Sequence, residues 1–221
     1  MLDYSKTHYT RYKGCSILNL TVFSLYWDNI DPRIVHQQQQ VMLHHGIPIQ
    51  QHRINGLDHG AWMDWTMRRN SELVLFMDID CIILNRDKAF KYIEMATNGS
   101  LVGNVQATNH MGHDIAQKLF AAPSFLCVHK EMWTKLGKPS FKPTPYGDVA
   151  QLLTDTWKCH NVPVEYLSVT NFEVPKWDLP GAPQSYGIGT TYGDCVYHLF
   201  ESRESSHIDR FLAKCGEVLD A

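Results

Sequence analysis

Leu73-Val-Leu-Phe-Met-Asp-Ile-Asp80 decides how the rest of this chain is read. Five large apolar residues without a charge fit a strand buried on both faces, as at the centre of a largely parallel sheet. Asp78 and Asp80 close the run. In extended backbone their side chains point to the same side, and two acids together at a buried strand end are electrostatically costly. A divalent cation removes that cost. Hard carboxylate oxygens suit Mg²⁺ or Mn²⁺, which keep room for phosphate oxygens beside the protein's own ligands. The plainer alternative is that both acids simply start a turn.

Upstream of the run, residues 1–14 are polar and aromatic without a period, and residues 17–25 read as a first strand. Tyr26 and Trp27 follow at its carboxyl end, the edge where open α/β sheets bind ligands, so they either stack on a base or cap the core. Asp31-Pro32 starts a helix that carries Ile34, Gln38, Val41, Met42 and His45 on one face until Gly46. Alternation in residues 47–54 predicts a second strand near the sheet edge, turned by Asn55-Gly56. Asp58 caps a second helix with Ala61, Trp62, Trp65 and Arg69 along one face. This β-α-β-α-β order implies a parallel sheet with right-handed crossovers. His59, at that helix's N-terminus, then faces the same end as the acids and is a candidate to meet a nucleotide, or else an ordinary surface histidine.

Downstream, residues 81–84 are apolar, residues 85–96 form a helix with Phe90 and Ile93 inward, and Leu101-Val102 restarts a strand. The stretch Gly103-Asn-Val-Gln-Ala-Thr-Asn-His-Met-Gly-His113 is dense in uncharged hydrogen-bonding groups of the kind that satisfy sugar hydroxyls. It reads as a polyol pocket, with Asn104 and Gln106 among its amides, or as a plain polar loop. Asp114 caps a short helix, residues 124–128 form a buried strand, and residues 131–136 form a helix. Residues 139–145 are a proline-rich loop suited to holding a site wall. Gly147-Asp148 opens a helix with Val149, Leu152, Leu153 and Trp157 inward, so Asp148 is either its N-cap or a catalytic or acceptor-binding carboxylate. Residues 164–169 are a late strand, residues 171–193 a mobile loop over the site, and residues 195–200 a last strand with one histidine, His198. A closing helix puts Ile208, Phe211, Leu212, Cys215 and Leu219 on one face.

At 221 residues the chain suits one sizeable α/β core, so residues 1–221 are read as a single domain. A net charge of −3, with Lys and Arg scattered, speaks against nucleic acid as a partner. The six cysteines lie far apart without a C-x-x-C pair and are read as unpaired. Neither a signal peptide nor a membrane span is legible, which places the protein in a reducing cytoplasm.

These features resemble the nucleotide-sugar-dependent glycosyltransferases of the GT-A fold. The resemblance rests on Asp78-Ile79-Asp80, standing where the family's D-x-D motif stands after two β-α units. It rests also on Gly147-Asp148 before an apolar helix and on Tyr197-His198-Leu199, where many members place a metal-binding histidine. It covers most of residues 15–200, and compact virus-encoded members are about this size. The implied fold is a single, Rossmann-like GT-A domain with a mostly parallel sheet flanked by helices. The implied cofactor is Mn²⁺ (or Mg²⁺) at Asp78, Asp80 and His198, with Asp80 and His198 as ligands and Asp78 meeting the ribose or a metal-bound water. Tyr26, Trp27, His59, Asn104 and Gln106 are expected around the donor, a UDP-sugar, and the acceptor is a glycan or glycoprotein. The metal would bridge the diphosphate and neutralise charge on the departing nucleotide. In an inverting member Asp148 is the base. Such members usually show Glu-Asp where this chain has Gly-Asp, and in a retaining member Asp148 would bind acceptor or sugar only. A viral chain would act in the host cytoplasm.

Two other classes share parts of this pattern. Haloacid-dehalogenase-type phosphatases also place D-x-D after an apolar strand, but with Thr or Val four residues after the first Asp, where this chain has Ile82, and near the start of the domain. A non-catalytic carbohydrate-binding module would use the polar loop and the aromatics, and needs no buried acid pair. Phosphate release from simple esters would mark the first, and metal-independent glycan binding the second.

Overall fold

The computed structural model describes residues 20–70, 72–108, 118–181 and 184–221. In chain order the elements are β1 (Leu20–Tyr26), α1 (Pro32–His44), β2 (Ile49–Arg53), α2 (His59–Arg69), β3 (Leu73–Met77), β4 (Cys81–Ile83), α3 (Arg86–Thr97), β5 (Leu101–Ala107), β6 (Leu119–His129), α4 (Lys130–Lys135), α5 (Gln151–Cys159), β7 (Val164–Leu167), β8 (Val169–Asn171), β9 (Val174–Asp178), β10 (Ser185–Ile188), β11 (Thr190–Tyr192), β12 (Val196–His198) and α6 (Ser205–Leu219).

All five residues of β3 are buried, and their alternation feeds two cores. Leu73, Leu75 and Met77 enter one apolar cluster, while Val74 and Phe76 enter the cluster on the other face. Burying each such side chain contributes about 1.5–3 kcal/mol, so a polar substitution here would disturb both layers. The main sheet has the order β2-β1-β3-β6-β5-β7. β1 pairs in parallel with β2 and β3, and β5 with β7, while β6 runs antiparallel to both β3 and β5. Five strands thus share one direction and β6 opposes them. The mostly parallel α/β architecture is as expected, and β2 does lie at the edge.

Helix starts follow the capping chemistry. Asp31, Asp58 and Asn85 accept hydrogen bonds from Arg33 N, Ala61 N and Lys88 N, at 2.8, 2.8 and 3.0 Å, before α1, α2 and α3. One inward assignment is corrected, since Leu152 is 37% exposed while Leu153 and Trp157 are fully buried; of the face read on α2, Trp62 is fully buried with Met63 and Met67, whereas Trp65 is 42% exposed. Gly60 lets residues 141–142 pack directly on the first turn of α2, where a Cβ would lie 2.5 Å from Lys142 Cα. The proline-rich loop therefore backs the turn that carries His59.

Three further expectations are overturned. The polar stretch from Gly103 is not a loop up to Ala107: it is β5, with Val105 and Ala107 inward and Asn104 and Gln106 both bonded to Ser124 Oγ. Its continuation through residues 109–113, and the short helix at Asp114, lie outside the described residues. The supposed mobile loop 171–193 contains the last residue of β8, the β9/β10 hairpin and β11, with Tyr186, Ile188 and Tyr192 buried. Pro and Gly mask strands this short, because register comes from partners elsewhere in the chain. Finally, the strand read over 164–169 splits at Ser168, leaving β7 in the main sheet and β8 in a second one.

That second sheet has the order β4-β12-β11-β8 and is antiparallel throughout. A third core cluster lies beneath it: Ile34 and Val41 of α1 and Ile208, Phe211 and Cys215 of α6 surround Ile82 and Tyr197. Cys81, Cys127, Cys159, Cys195 and Cys215 are free thiols, while Cys15 lies outside the described residues. Among the described residues no helix is long and apolar enough to cross a membrane.

Candidate active site

β3 stops at Met77, and the chain turns through residues 78–81, closed by Cys81 N donating to Asp78 O at 3.0 Å. The two acids therefore meet through a turn and not through strand alternation. β4 begins at once and pairs with β12, so that His198 stands opposite Cys81. Leu199 N donates to Asp80 O at 2.9 Å, tying the two segments together one residue on. The result places His198 Nε2 3.3 Å from Asp80 Oδ1 and 3.5 Å from Asp78 Oδ2. One donor atom from each of the three residues lies within 4.8 Å of the others.

Electrostatics at this junction is strained. Burial raises the Asp78 pKa; the nearby histidines His59 and His198 work against that shift, while Asp80 and Asp148 add to it. Burial alone would lower the pKa of His198, but the charge and hydrogen bonding of Asp80, with Asp78, outweigh it and the net shift is upward. His198 is 4% exposed, its ring 4.1 Å from that of Phe200, and its Nδ1 has no hydrogen-bond partner among the described residues. Packing orients this imidazole, and Nε2 is the nitrogen offered to the acids. Two carboxylates and one imidazole nitrogen converging on a common point suit a divalent cation such as Mn²⁺, which accepts both oxygen and nitrogen donors.

The three residues form part of the wall of a cavity of about 750 Å³. Of the residues expected around a donor, Tyr26, Trp27, His59 and Gln106 line it. His59 Nε2 lies 3.7 Å from Asp78 Oδ1. Asn104 does not reach the wall: it is fully buried in the sheet, donating to Ser124 Oγ at 3.1 Å. Asp148 does not line this cavity either, although its charge acts on Asp78. Nor does it cap a helix. The N-cap of α5 is Ala150, held at φ +66°, while Asp148 Oδ1 accepts from its neighbour Val149 N and Asp148 N donates to Gln151 Oε1. The local bonds of a tight turn displaced the helix start by two residues.

The cavity also contains residues that the sequence reading missed. Glu201, Ser202, Arg203 and Glu204, in the segment between β12 and α6, close one side, and the Arg203 guanidinium lies 5.9 Å from the centre of the Trp27 ring. The available signal was a Glu-Ser-Arg-Glu cluster directly after the histidine strand.

No family model and no curated protein sequence matches the chain. Solved structures do resemble it. A mutant Drosophila β-1,4-galactosyltransferase 7, in complex with manganese, UDP-Gal and xylobiose, is 12% identical over 82% of this chain and 71% of its own, with a TM-score of 0.49. A glycosyltransferase involved in glycosylation of the major capsid of PBCV-1 is 13% identical over 68% and 82%, with a TM-score of 0.40. A putative glucose-1-phosphate thymidylyltransferase from Bacillus anthracis is 8% identical over 89% and 95%, with a TM-score of 0.45. At these identities and TM-scores the likenesses say nothing of what the chain does, which is read from its own side chains.

Proposed function

We propose that residues 1–221 form a single GT-A-like domain that transfers a hexose-type sugar from a nucleoside diphosphate sugar, UDP-sugar by preference, to a glycan or glycoprotein. Mn²⁺ or Mg²⁺ is its cofactor. The observation that carries this proposal is the convergence of Asp78, Asp80 and His198 within 4.8 Å at the wall of the cavity. Among the described residues that wall also holds Asp58, Glu201 and Glu204, with Arg203 as its one Lys or Arg side chain. So acidic a surface repels a diphosphate unless a cation intervenes, and the same three side chains supply the place for one.

In this mechanism Asp80 and His198 would hold the ion, and Asp78, beside His59, would complete that site by meeting the ribose or a metal-bound water. When bound, the cation acts as a Lewis acid that offsets charge developing on the departing diphosphate. Tyr26 and Trp27 offer flat faces to the base, and Gln106 offers an amide to sugar hydroxyls. Asp148 either takes the proton of the acceptor hydroxyl as the new bond forms, in an inverting reaction, or binds the acceptor in a retaining one. The reaction is placed in the cytoplasm, the host's for a virus-encoded chain.

Calorimetry tests the core of this proposal. UDP should bind more tightly with Mn²⁺ than with EDTA, and equal affinity in both would overturn the shared metal site. GDP and CDP provide the arms for base choice, and preferential binding of either would replace uridine.

A further inference from the structure

The turn that carries the two acids is braced from behind by a buried glutamine. Gln38 lies on the inner face of α1 among Ile34, Val41 and Met42, and is fully buried. Its Nε2 donates to Asp78 O at 2.7 Å and to Cys81 O at 2.9 Å, the carbonyls at the two ends of the turn. An amide nitrogen with two hydrogens can serve both acceptors, which a carboxylate or a hydroxyl cannot. Its Oε1 accepts from Gln51 Nε2 at 3.0 Å, and that nitrogen also donates to Val35 O at 2.9 Å. Gln51 thus fixes which end of the Gln38 amide faces the turn.

Neighbouring carbonyls are also held: Met77 O accepts from Ser24 Oγ at 2.6 Å and Asp80 O from Leu199 N. Gln38 differs from these in gripping both ends of the turn from outside, beside the turn's own Cys81 N to Asp78 O bond. A buried amide on an otherwise apolar helix face costs free energy unless each polar end is bonded, and here each one is. Without it two buried carbonyls lose a donor. The turn keeps its Cys81 N to Asp78 O and Leu199 N to Asp80 O bonds but loses its outer brace, so the like-charged acids can spread further and an ion must draw them back on binding.

We propose that Gln38, oriented by Gln51, is a positioning residue that presets Asp78 and Asp80 for the divalent cation, resting on the metal site proposed above. Outer partners of this kind typically carry about 10- to 100-fold in metal affinity. The test titrates Mn²⁺ into the full chain without substrate and follows the electron paramagnetic resonance signal of the free ion. Gln38→Met keeps length and apolar packing but has no donor. It should leave circular dichroism unchanged and weaken Mn²⁺ binding about 10- to 100-fold. Gln51→Met should weaken it less. Thr154→Val removes a different buried acceptor, that of Ala121 N at 3.0 Å, and should leave affinity unchanged. Wild-type affinity in folded Gln38→Met, or an equal loss in Thr154→Val, overturns the proposal. If Gln38→Met does not fold, wild-type affinity in Gln51→Met does so instead. A wild-type chain that binds no Mn²⁺ overturns the metal site and this inference together, whereas binding that ignores both glutamines overturns this inference alone.

Discussion

The two sheets contribute to the site in opposite ways. The main sheet delivers Asp78 and Asp80 from β3, a strand buried along its whole length and paired on both sides. The second sheet delivers His198 from β12, a three-residue strand whose place depends on β4, β11 and the packing of α6. One supplies charge on a rigid support. The other supplies the neutralising partner on a support that exists only once distant segments have met. The difference teaches where the site is robust and where it is open to perturbation.

The largest effect should come from the rigid side. Asp80→Asn removes a negative charge from the junction without altering the core, so circular dichroism should stay the same while transfer falls on the order of 10³-fold or more, the scale of losing several kcal/mol of charge stabilisation. Retained transfer would sink the assignment of Asp80 to the ion, and loss of folding would show a structural role instead.

Asp148 tests whether a third region joins the two sheets in catalysis. As the general base its removal should cost ~10²–10⁴-fold in kcat with donor binding barely changed. The Gly147-Asp148 pair, and a carboxylate bonded to its own turn outside the cavity, favour the other outcome. Asp148→Ala should raise KM by more than it lowers kcat. An inverted product by NMR, together with a collapse in kcat alone, would reverse this expectation.

On the dependent side, Phe211→Ala empties a fully buried position under Tyr197 and Ile82 and should destabilise the protein by about 3–5 kcal/mol in denaturant titration. Because Mn²⁺ binds only the folded chain, it should stabilise the wild type, and Phe211→Ala less if the cluster shared by α6 and Tyr197 holds β12 in place. Equal stabilisation of the two by Mn²⁺ would argue that His198 is not held through this packing.

The smallest effect concerns a histidine of the main sheet. His52 accepts from Trp62 Nε1 at Nδ1, 3.0 Å away, and burial lowers its pKa below 6.5. A lowered folded pKa means that the unfolded chain binds the proton more readily, so this contribution is present above about pH 6.5 and is lost as pH falls through the folded value. His52→Gln should flatten that segment of the stability curve. An unaltered curve would show that His52 does not titrate with folding.

How much was legible follows the same division. The central strand, the capped starts of α1, α2 and α3, and the acid pair all lie in local pattern: an unbroken apolar run, Asp-Pro, a carboxylate three residues before a backbone N–H. Asn104 misled because a polar side chain in a buried strand looks like part of a loop until its partner, Ser124 Oγ, is known, whereas Gln106 on the same strand does reach the cavity. The strands within 171–193 were hidden for a related reason, since segments of three to five residues have too little period of their own.

By itself the sequence determined the α/β class, the strand that ends in Asp78 and Asp80, and the presence of one histidine in a late apolar segment. Only the tertiary structure decided that this histidine sits 3.3 Å from Asp80, that Gln38 spans the turn, and that Arg203 reaches Trp27. The physical reason is separation along the chain. Hydrophobic period and capping act over a few residues, whereas the site forms from segments more than a hundred residues apart, whose registers are set by hydrogen bonds and packing that exist only in the folded state.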